Sequence, residues 1–191
     1  MLQFSLQEHK APHIVAMNPS GRLPIVKHDD YVVFESVAVL YYLDLKYPEP
    51  PIFGRTAEEA GVIMRVICEF EAYAEDHLMK IVRALFESGV NEGNIGELTR
   101  AMLAVASEAR TIEGRLSRGD WIVGDAYSAA DMVIFPAIQV LLRARKKPGA
   151  GVLASRFLPV EVNYPALGRW LDRVAALPGF AKTWPPHWRA S

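Results

Sequence analysis

The sequence predicts an α+β lobe over residues 1–50, followed by an all-α helical bundle over residues 51–191. Three observations support this division. Short apolar runs of strand length occur only in the first part. Residues 47–54, YPEPPIFG, form a proline-rich linker. Beyond the linker, apolar residues recur at helical spacing almost to the end of the chain.

Each element of the first part follows from its pattern. Leu2–Leu6 alternates apolar and polar residues, which predicts a short half-buried strand. Pro12–Met17 predicts one loose helical turn. Leu23–Val26 and Tyr31–Phe34 are apolar runs around a polar connector, which predicts a β-hairpin. Ser36–Tyr47 has helical spacing and ends before a proline, so it predicts a helix.

Helix starts in the second part carry capping signals, in which a Ser, Thr or Asn precedes an acidic residue by three positions. The pairs are Thr56 with Glu59, Asn94 with Glu97, and Ser128 with Asp131. The first of these helices is expected to run to about Ser88. Pro165 suits the first turn of another helix, and a Pro-Gly break at 178–179 precedes a short last one.

Composition excludes several functional classes. The 191 residues are 51% hydrophobic and 23% charged, as in ordinary globular proteins. A net charge of -1 argues against nucleic acid and anionic membranes as partners. The basic cluster at 143–147 is interpreted as a solvated helix end. We expect a cytoplasmic protein, because the first residues lack the pattern of a signal peptide and no apolar run approaches the roughly 20 residues of a membrane helix.

Cysteine and histidine usage bounds the chemistry further. The single cysteine, Cys68, excludes an internal disulfide framework and a cysteine-based zinc site. It lies beside the apolar face of a predicted helix, so we expect a core or inert thiol. The five histidines show no metal-ligand spacing, and we expect no metal.

The segment 17–36, MNPSGRLPIVKHDDYVVFES, is the most informative stretch. Pro24 can take the cis form, although a trans proline at a strand start is the plainer interpretation of this residue alone. Ser36 can cap the helix that follows, with Glu35 at its edge. The exposed N–H groups of a helix start form an anion site.

With EHKAP at 8–12 and GDAYSAADMVIFPAI at 124–138, this segment resembles the glutathione transferase family, most closely its plant-type phi class and bacterial relatives. The resemblance implies a thioredoxin-like first lobe. It also implies binding of glutathione, as a co-substrate, and conjugation of its thiolate to an electrophilic hydrophobic compound, a detoxification reaction. Family members are generally homodimers.

The resemblance also implies roles for the residues of the segment. Pro24 in the cis form would present the backbone of Leu23 to the cysteinyl unit of glutathione. Glu35 would bind the γ-glutamyl ammonium, and Ser36 its carboxylate. A simple helix cap is the alternative for the last pair.

The glycyl carboxylate would lie against His9 and Lys10, for which an exposed polar loop is the alternative. Arg22 stands where the phi class often has Gln, and it could donate to the peptide or pair with the carboxylate. In the family, the helix face with Tyr73 and His77 contributes to the site of the hydrophobic co-substrate, and core packing is the alternative.

Two further residues of the resemblance are structural. Ser128 and Asp131 are expected to stabilise a helix start and to take no part in chemistry. The helix face that carries Tyr73 and His77 also includes Met64 and Ile81.

The catalytic Ser, Tyr or Cys of the family lies on a first strand and helix that should precede residue 1, so we identify no catalytic residue and expect an incomplete lobe. Ser20 is the one spare hydroxyl near the site, and we do not favour it. Three explanations stay open: a start that lies upstream, a strand donated by a partner chain, or a remodelled lobe. The alternative function is therefore a non-catalytic binding or assembly module. A thiol-disulfide oxidoreductase is disfavoured, because residues 1–50 contain no cysteine.

Overall fold

The described residues of the first part of the chain form a β-hairpin that short helices precede and follow. The computed structural model describes residues 8–154 and 156–185. The chain divides into two compact units between Ala60 and Gly61. The predicted strand Leu2–Leu6 lies outside the described residues. In the described part of the chain, no helix is both long and apolar enough to cross a membrane.

Before the helix that begins at Ala57, the described residues of the first unit form one 3₁₀ turn, two helices and two strands. They are the turn Glu8–Lys10, α1 Pro12–Met17, β1 Ile25–His28, β2 Tyr31–Phe34 and α2 Ser36–Lys46. The strands pair antiparallel, from Ile25 opposite Phe34 to His28 opposite Tyr31. β1 therefore begins two residues later than predicted. Pro24 precedes the ladder because it has no N–H to donate, and a turn at Asp29 (φ 53°) and Asp30 lets His28 pair.

The start of α2 differs from the prediction in one residue. Glu35, with φ 70° and ψ 126°, occupies the N-cap position, and Ser36 is the first helical residue. Ser36 therefore does not cap this helix. The other end of α2 holds the linker, because the carboxylate of Asp44 accepts a hydrogen bond from the backbone N–H of Ile52 at 2.6 Å.

The remaining elements are helical, as predicted. The predicted helix to Ser88 is present as α3 Ala57–Phe70, a π-helical turn Glu71–Glu75, α4 Asp76–Arg83 and a second π-helical turn Ala84–Ser88. It is followed by α5 Ile95–Leu116, α6 Ala129–Ala144, α7 Gly151–Ala154, α8 Val160–Asn163, α9 Pro165–Ala175 and α10 Phe180–Thr183.

The core of the second unit forms where helical apolar faces meet. Fully buried side chains come from every long helix: Ile67, Phe70, Leu78, Ile81, Met102, Ile112, Ile134, Ile138, Leu141 and Trp170. On the predicted helix face that includes Tyr73 and Ile81, Ile81 is fully buried, but Tyr73 is 63% exposed. Ala74 takes the inward position instead, because Tyr73 lies in a π-helical turn whose wider geometry changes the phase of the face.

Two of the three predicted capping boxes differ from the pattern. Glu59 donates its N–H to Thr56 Oγ1 at 3.2 Å, but its carboxylate accepts from the N–H of Arg55. Asn94 forms no side-chain cap on α5. Its amide instead closes the preceding turn, with Oδ1 accepting from Asn91 N at 2.9 Å. A local turn therefore competes successfully with the cap for the same side chain.

Candidate functional site

The loop between α1 and β1 is organised by one buried side chain. Asn18 is 1% exposed. Its Oδ1 accepts hydrogen bonds from the Ser20 backbone N–H at 3.1 Å and from the Ser20 hydroxyl at 2.8 Å. Its Nδ2 donates to the carbonyl oxygen of Arg22 at 3.0 Å. This loop is therefore held from inside, and the Ser20 hydroxyl proton is engaged.

Lys10 lies against the same loop. Its Nζ donates to the Ser20 carbonyl oxygen at 3.0 Å. Gly21 has φ +58°, and a Cβ added there would lie 2.9 Å from Lys10 Cδ. The ammonium that we predicted to bind a carboxylate therefore also supports the loop, and two of its three N–H donors remain for a ligand. His9 is half-buried beside it.

The Leu23–Pro24 peptide bond is cis. Within residues 8–154 and 156–185, neither the N–H nor the C=O of Leu23 makes a hydrogen bond. The exposed guanidinium of Arg22 likewise has no hydrogen bond or ion pair to any described residue. Buried backbone groups without partners are uncommon in proteins, and Leu23 is half-buried, so its N–H and C=O offer a donor and an acceptor for a peptide-like ligand.

Glu35 and Ser36 lie at the same end of the hairpin as Leu23. The last strand pair at this end is Ile25 opposite Phe34. Leu23 and Pro24 come just before Ile25 in the chain, and Glu35 and Ser36 come just after Phe34. The positive φ of Glu35 is uncommon for a residue other than glycine, and such strain clusters at functional sites. The Glu35 carbonyl accepts from Val39 N at 2.9 Å, which leaves the first N–H groups of α2 directed out of the helix.

The two residues predicted to contribute to the site of a hydrophobic co-substrate differ in their exposure. Tyr73 is 63% exposed, and His77 is half-buried on α4. Ile81, on the same predicted face, is fully buried, so it serves the core. Cys68 is exposed, so the expectation of a core position is wrong, while the expectation of an inert thiol stays a prediction.

An apolar groove of about 700 Å³ in the second unit was not predicted. Its walls include Met132 and Phe135 of α6, and Phe180 and Trp184 near the end of the described chain. Tyr73 and His77 are not among its walls. The sequence indicates the apolar face of each helix. It does not indicate that a groove remains between two such faces, because that depends on how the helices pack.

Ser128 and Asp131 form a reciprocal capping box at the start of α6. Both are buried, and Asp131 Oδ2 accepts from the Ser128 N–H and hydroxyl, each at 2.9 Å. Burial raises the pKa of Asp131, while hydrogen bonds from its neighbours oppose the rise. Burial also raises the pKa of the nearby Tyr127 to about 12. Within the described residues, no group of three or more His, Cys, Asp or Glu side chains could hold a metal ion.

Comparison with known proteins agrees with this fold. The glutathione S-transferase C-terminal domain model matches residues 75–178, and the N-terminal domain model matches residues 1–45. The chain belongs to the glutathione S-transferase family. The prediction of a thioredoxin-like lobe followed by an all-helical domain is thereby confirmed.

Its relatives include enzymes with different names. Glutathione S-transferase A of Pleuronectes platessa is 26% identical and aligns with all of this chain and 80% of its own length. Maleylacetoacetate isomerase of Pseudomonas aeruginosa is 26% identical over 94% of this chain and 79% of its own. Glutathione S-transferase F9 of Arabidopsis thaliana is 26% identical over 92% and 79%.

Solved structures show the same fold. A glutathione S-transferase from the Antarctic clam Laternula elliptica has a TM-score of 0.80 at 23% identity, covering all of this chain and 81% of its own. Poplar glutathione transferase F1 has a TM-score of 0.74 at 21% identity, covering 94% and 80%. A Burkholderia graminis glutathione transferase, solved with two glutathione molecules bound per subunit, has a TM-score of 0.78 at 20% identity, covering 94% and 73%.

Proposed function

We propose that this protein binds glutathione at the Leu23 and Glu35 end of the hairpin and conjugates its thiolate to a hydrophobic electrophile. One observation carries the proposal: a backbone donor and acceptor without described partners lie at the same hairpin end as a helix N-terminus. Family membership supports it, as do the names of the transferase relatives.

The chemistry of the tripeptide suits these groups. The cysteinyl unit pairs its backbone with the N–H and C=O of Leu23, in the manner of an added strand. The γ-glutamyl carboxylate is bound by the N–H groups at the start of α2 and by the Ser36 hydroxyl. The γ-glutamyl ammonium is bound by the exposed carboxylate of Glu35.

The glycyl carboxylate requires a cation at the other end of the tripeptide. Arg22 is the favoured partner, because its guanidinium is exposed and makes no ion pair with a described residue. Lys10 can contribute a second contact while it keeps its bond to Ser20. His9 is the third candidate, and its half-buried ring limits it to one edge.

In the reaction, the thiol of glutathione loses its proton, and the thiolate forms a carbon–sulfur bond with the electrophile. If the electrophile carries a leaving group, that group departs with the bonding electron pair. A hydroxyl donor near the sulfur stabilises the thiolate. Ser20 does not suit this role, because its hydroxyl proton is donated to Asn18. The alternative function is a non-catalytic glutathione-binding module, which would bind the tripeptide and leave its thiol unchanged.

The family expectation of a homodimer is part of the proposal. Three side chains around α2 are large, apolar and exposed: Tyr41 at 49%, Leu45 at 66% and Tyr47 at 59%. An apolar surface of this kind is a common protein interface. Sedimentation should therefore give twice the mass of one chain, and Leu45→Lys should give a monomer.

The first experiment is a calorimetric titration of glutathione into the full chain. Glu35→Gln and Ser36→Ala should each weaken binding about tenfold, because each removes one charge-assisted contact. Glu92→Gln, in an exposed loop of the second unit, is the matched control and should bind normally. Normal binding by the Glu35 variant would overturn the assigned site.

A conjugation assay with chlorodinitrobenzene separates the two functions. An enzyme should exceed the uncatalysed rate, and the Glu35→Gln variant should lose that excess in proportion to its weaker binding. Glutathione binding with no excess rate would favour the non-catalytic module.

A further inference from the structure

A cationic hollow lies at the carboxyl end of α6, and the proposed glutathione chemistry does not use it. Its volume is about 330 Å³. Four cations line it: Arg143, Arg145, Lys146 and Lys147. No described carboxylate is among its lining residues. Arg145, Lys146 and Lys147 repel each other around this small space, and an anion would relieve that repulsion.

Helix capping does not account for this cluster. The sequence alone favours cations that complement the carboxyl end of a helix. Yet within residues 8–154 and 156–185, the side chains of Arg145, Lys146 and Lys147 neither donate to a backbone carbonyl nor form a salt bridge. Instead, all three line the hollow.

The loop that carries these lysines is held in place by packing. Gly149 has φ +84°, and a Cβ added there would lie 2.8 Å from Val90 Cβ. Lys147 N donates to the carbonyl of Ala144 at 3.0 Å, which closes the turn after α6. The two lysine positions are therefore set by the backbone and not by the side chains alone.

Aromatic side chains form the apolar wall of the hollow. Phe86 is 40% exposed and belongs to the π-helical turn Ala84–Ser88, a distortion found often at functional sites. The Nζ of Lys147 lies 4.8 Å from the centre of the Phe86 ring. Trp184 contributes a second ring to the lining. An inorganic anion would satisfy the cations but leave these rings in contact with water.

We propose that this hollow binds an organic phosphate that carries a planar ring, such as a nucleoside diphosphate. Guanidinium and ammonium groups bind phosphate oxygens through charge-assisted hydrogen bonds. The ring packs against Trp184, as bases do on exposed aromatic side chains. The volume lies at the lower end of the range for small-molecule sites, which are about 300–1,000 Å³.

Titration of adenosine diphosphate into the full chain tests the proposal, with adenosine and pyrophosphate as separate arms. Adenosine diphosphate should bind at least about tenfold more tightly than either fragment, because each fragment uses only half of the site. Excess glutathione should leave this affinity unchanged, which makes the result independent of the proposed glutathione function.

Variants locate the binding. The double variant Arg145→Ala, Lys147→Ala should weaken adenosine diphosphate and pyrophosphate at least about tenfold. Trp184→Leu should weaken adenosine diphosphate and leave pyrophosphate unchanged. Arg100→Ala, an exposed cation on α5, is the matched control. Circular dichroism should show that each variant is folded.

Three results would overturn the proposal. The first is no binding of adenosine diphosphate at millimolar concentration. The second is equal affinity for adenosine diphosphate and pyrophosphate, which would indicate anion condensation without ring recognition. The third is normal affinity in the folded double variant, which would place any binding elsewhere.

Discussion

Trp170 Nε1 donates a hydrogen bond of 2.8 Å to Asp131 Oδ1, which joins α9 to the start of α6 in the core of the second unit. The same carboxylate accepts from the backbone N–H groups of Ile122 at 3.1 Å and Ser128 at 2.9 Å. One buried side chain therefore secures a loop, a helix start and a second helix.

Asp131→Ala should lower the free energy of unfolding by about 3 kcal/mol, because it leaves several buried donors without an acceptor. Ser128→Ala should cost only about 1 kcal/mol, as for an ordinary N-cap. Urea denaturation of the two variants measures the difference. A loss for Asp131→Ala no larger than that for Ser128→Ala would show that the bonds to Ile122 and Trp170 contribute little.

Glu113 of α5 caps α9 across the bundle, because its carboxylate accepts from the N–H groups of Ala166 at 2.9 Å and Leu167 at 2.8 Å. Glu113→Ala should destabilise the protein by about 2 kcal/mol, because it removes both bonds and the favourable charge at a helix N-terminus. Glu113→Gln should lose about half as much.

Chemical denaturation again provides the measurement for Glu113. Ser107→Ala, exposed on the same helix, should change stability by less than about 0.5 kcal/mol. If Glu113→Ala and Ser107→Ala behaved alike, the cap would be energetically unimportant.

Gly21→Ala should destabilise the loop by about 1–2 kcal/mol, because its φ of +58° disfavours other residues and the new Cβ would meet Lys10. Gly61→Ala is the matched control within α3, where an added Cβ has nothing within 4 Å. That substitution should stabilise the protein by about 0.5–1 kcal/mol. Thermal unfolding should therefore move in opposite directions for the two variants.

Glu75 should make stability depend on pH. Burial raises the pKa of Glu75, and the neighbouring carboxylates of Glu71 and Asp76 raise it further. The folded state therefore binds this proton more tightly than the unfolded state does. The contribution of Glu75 to the free energy of unfolding is fully present below its pKa in the unfolded state, about 4.3. It is lost as the pH rises through its pKa in the folded state.

Glu75→Gln should consequently be more stable than the natural chain at pH 7, with a difference that closes below about pH 4. Denaturant titrations at both pH values measure it, and Glu92→Gln, in an exposed loop, should show no such change. An equal difference at both values would point to packing and not to charge.

The arrangement of the candidate site was predictable only in part. The pair Leu23 and Pro24 is close in sequence to the pair Glu35 and Ser36. The hairpin between the two pairs brings them to the same end. The cis bond before Pro24 was predicted from the resemblance and is present. The hydrogen bond of Lys10 to the Ser20 carbonyl was not predicted. An ammonium can donate to any acceptor within reach, and spacing along the sequence does not indicate which one.

By itself, the sequence determined the two-part fold and most helix starts. These features depend on local signals: the period of the apolar residues, the positions of prolines and the capping residues. Each signal is carried by residues that are close together in the sequence. The tertiary structure alone decided which distant groups meet. Asp131 and Trp170 are 39 residues apart, and Glu113 and Ala166 are 53 apart. No periodic signal links such pairs, because their contact depends on how whole helices pack.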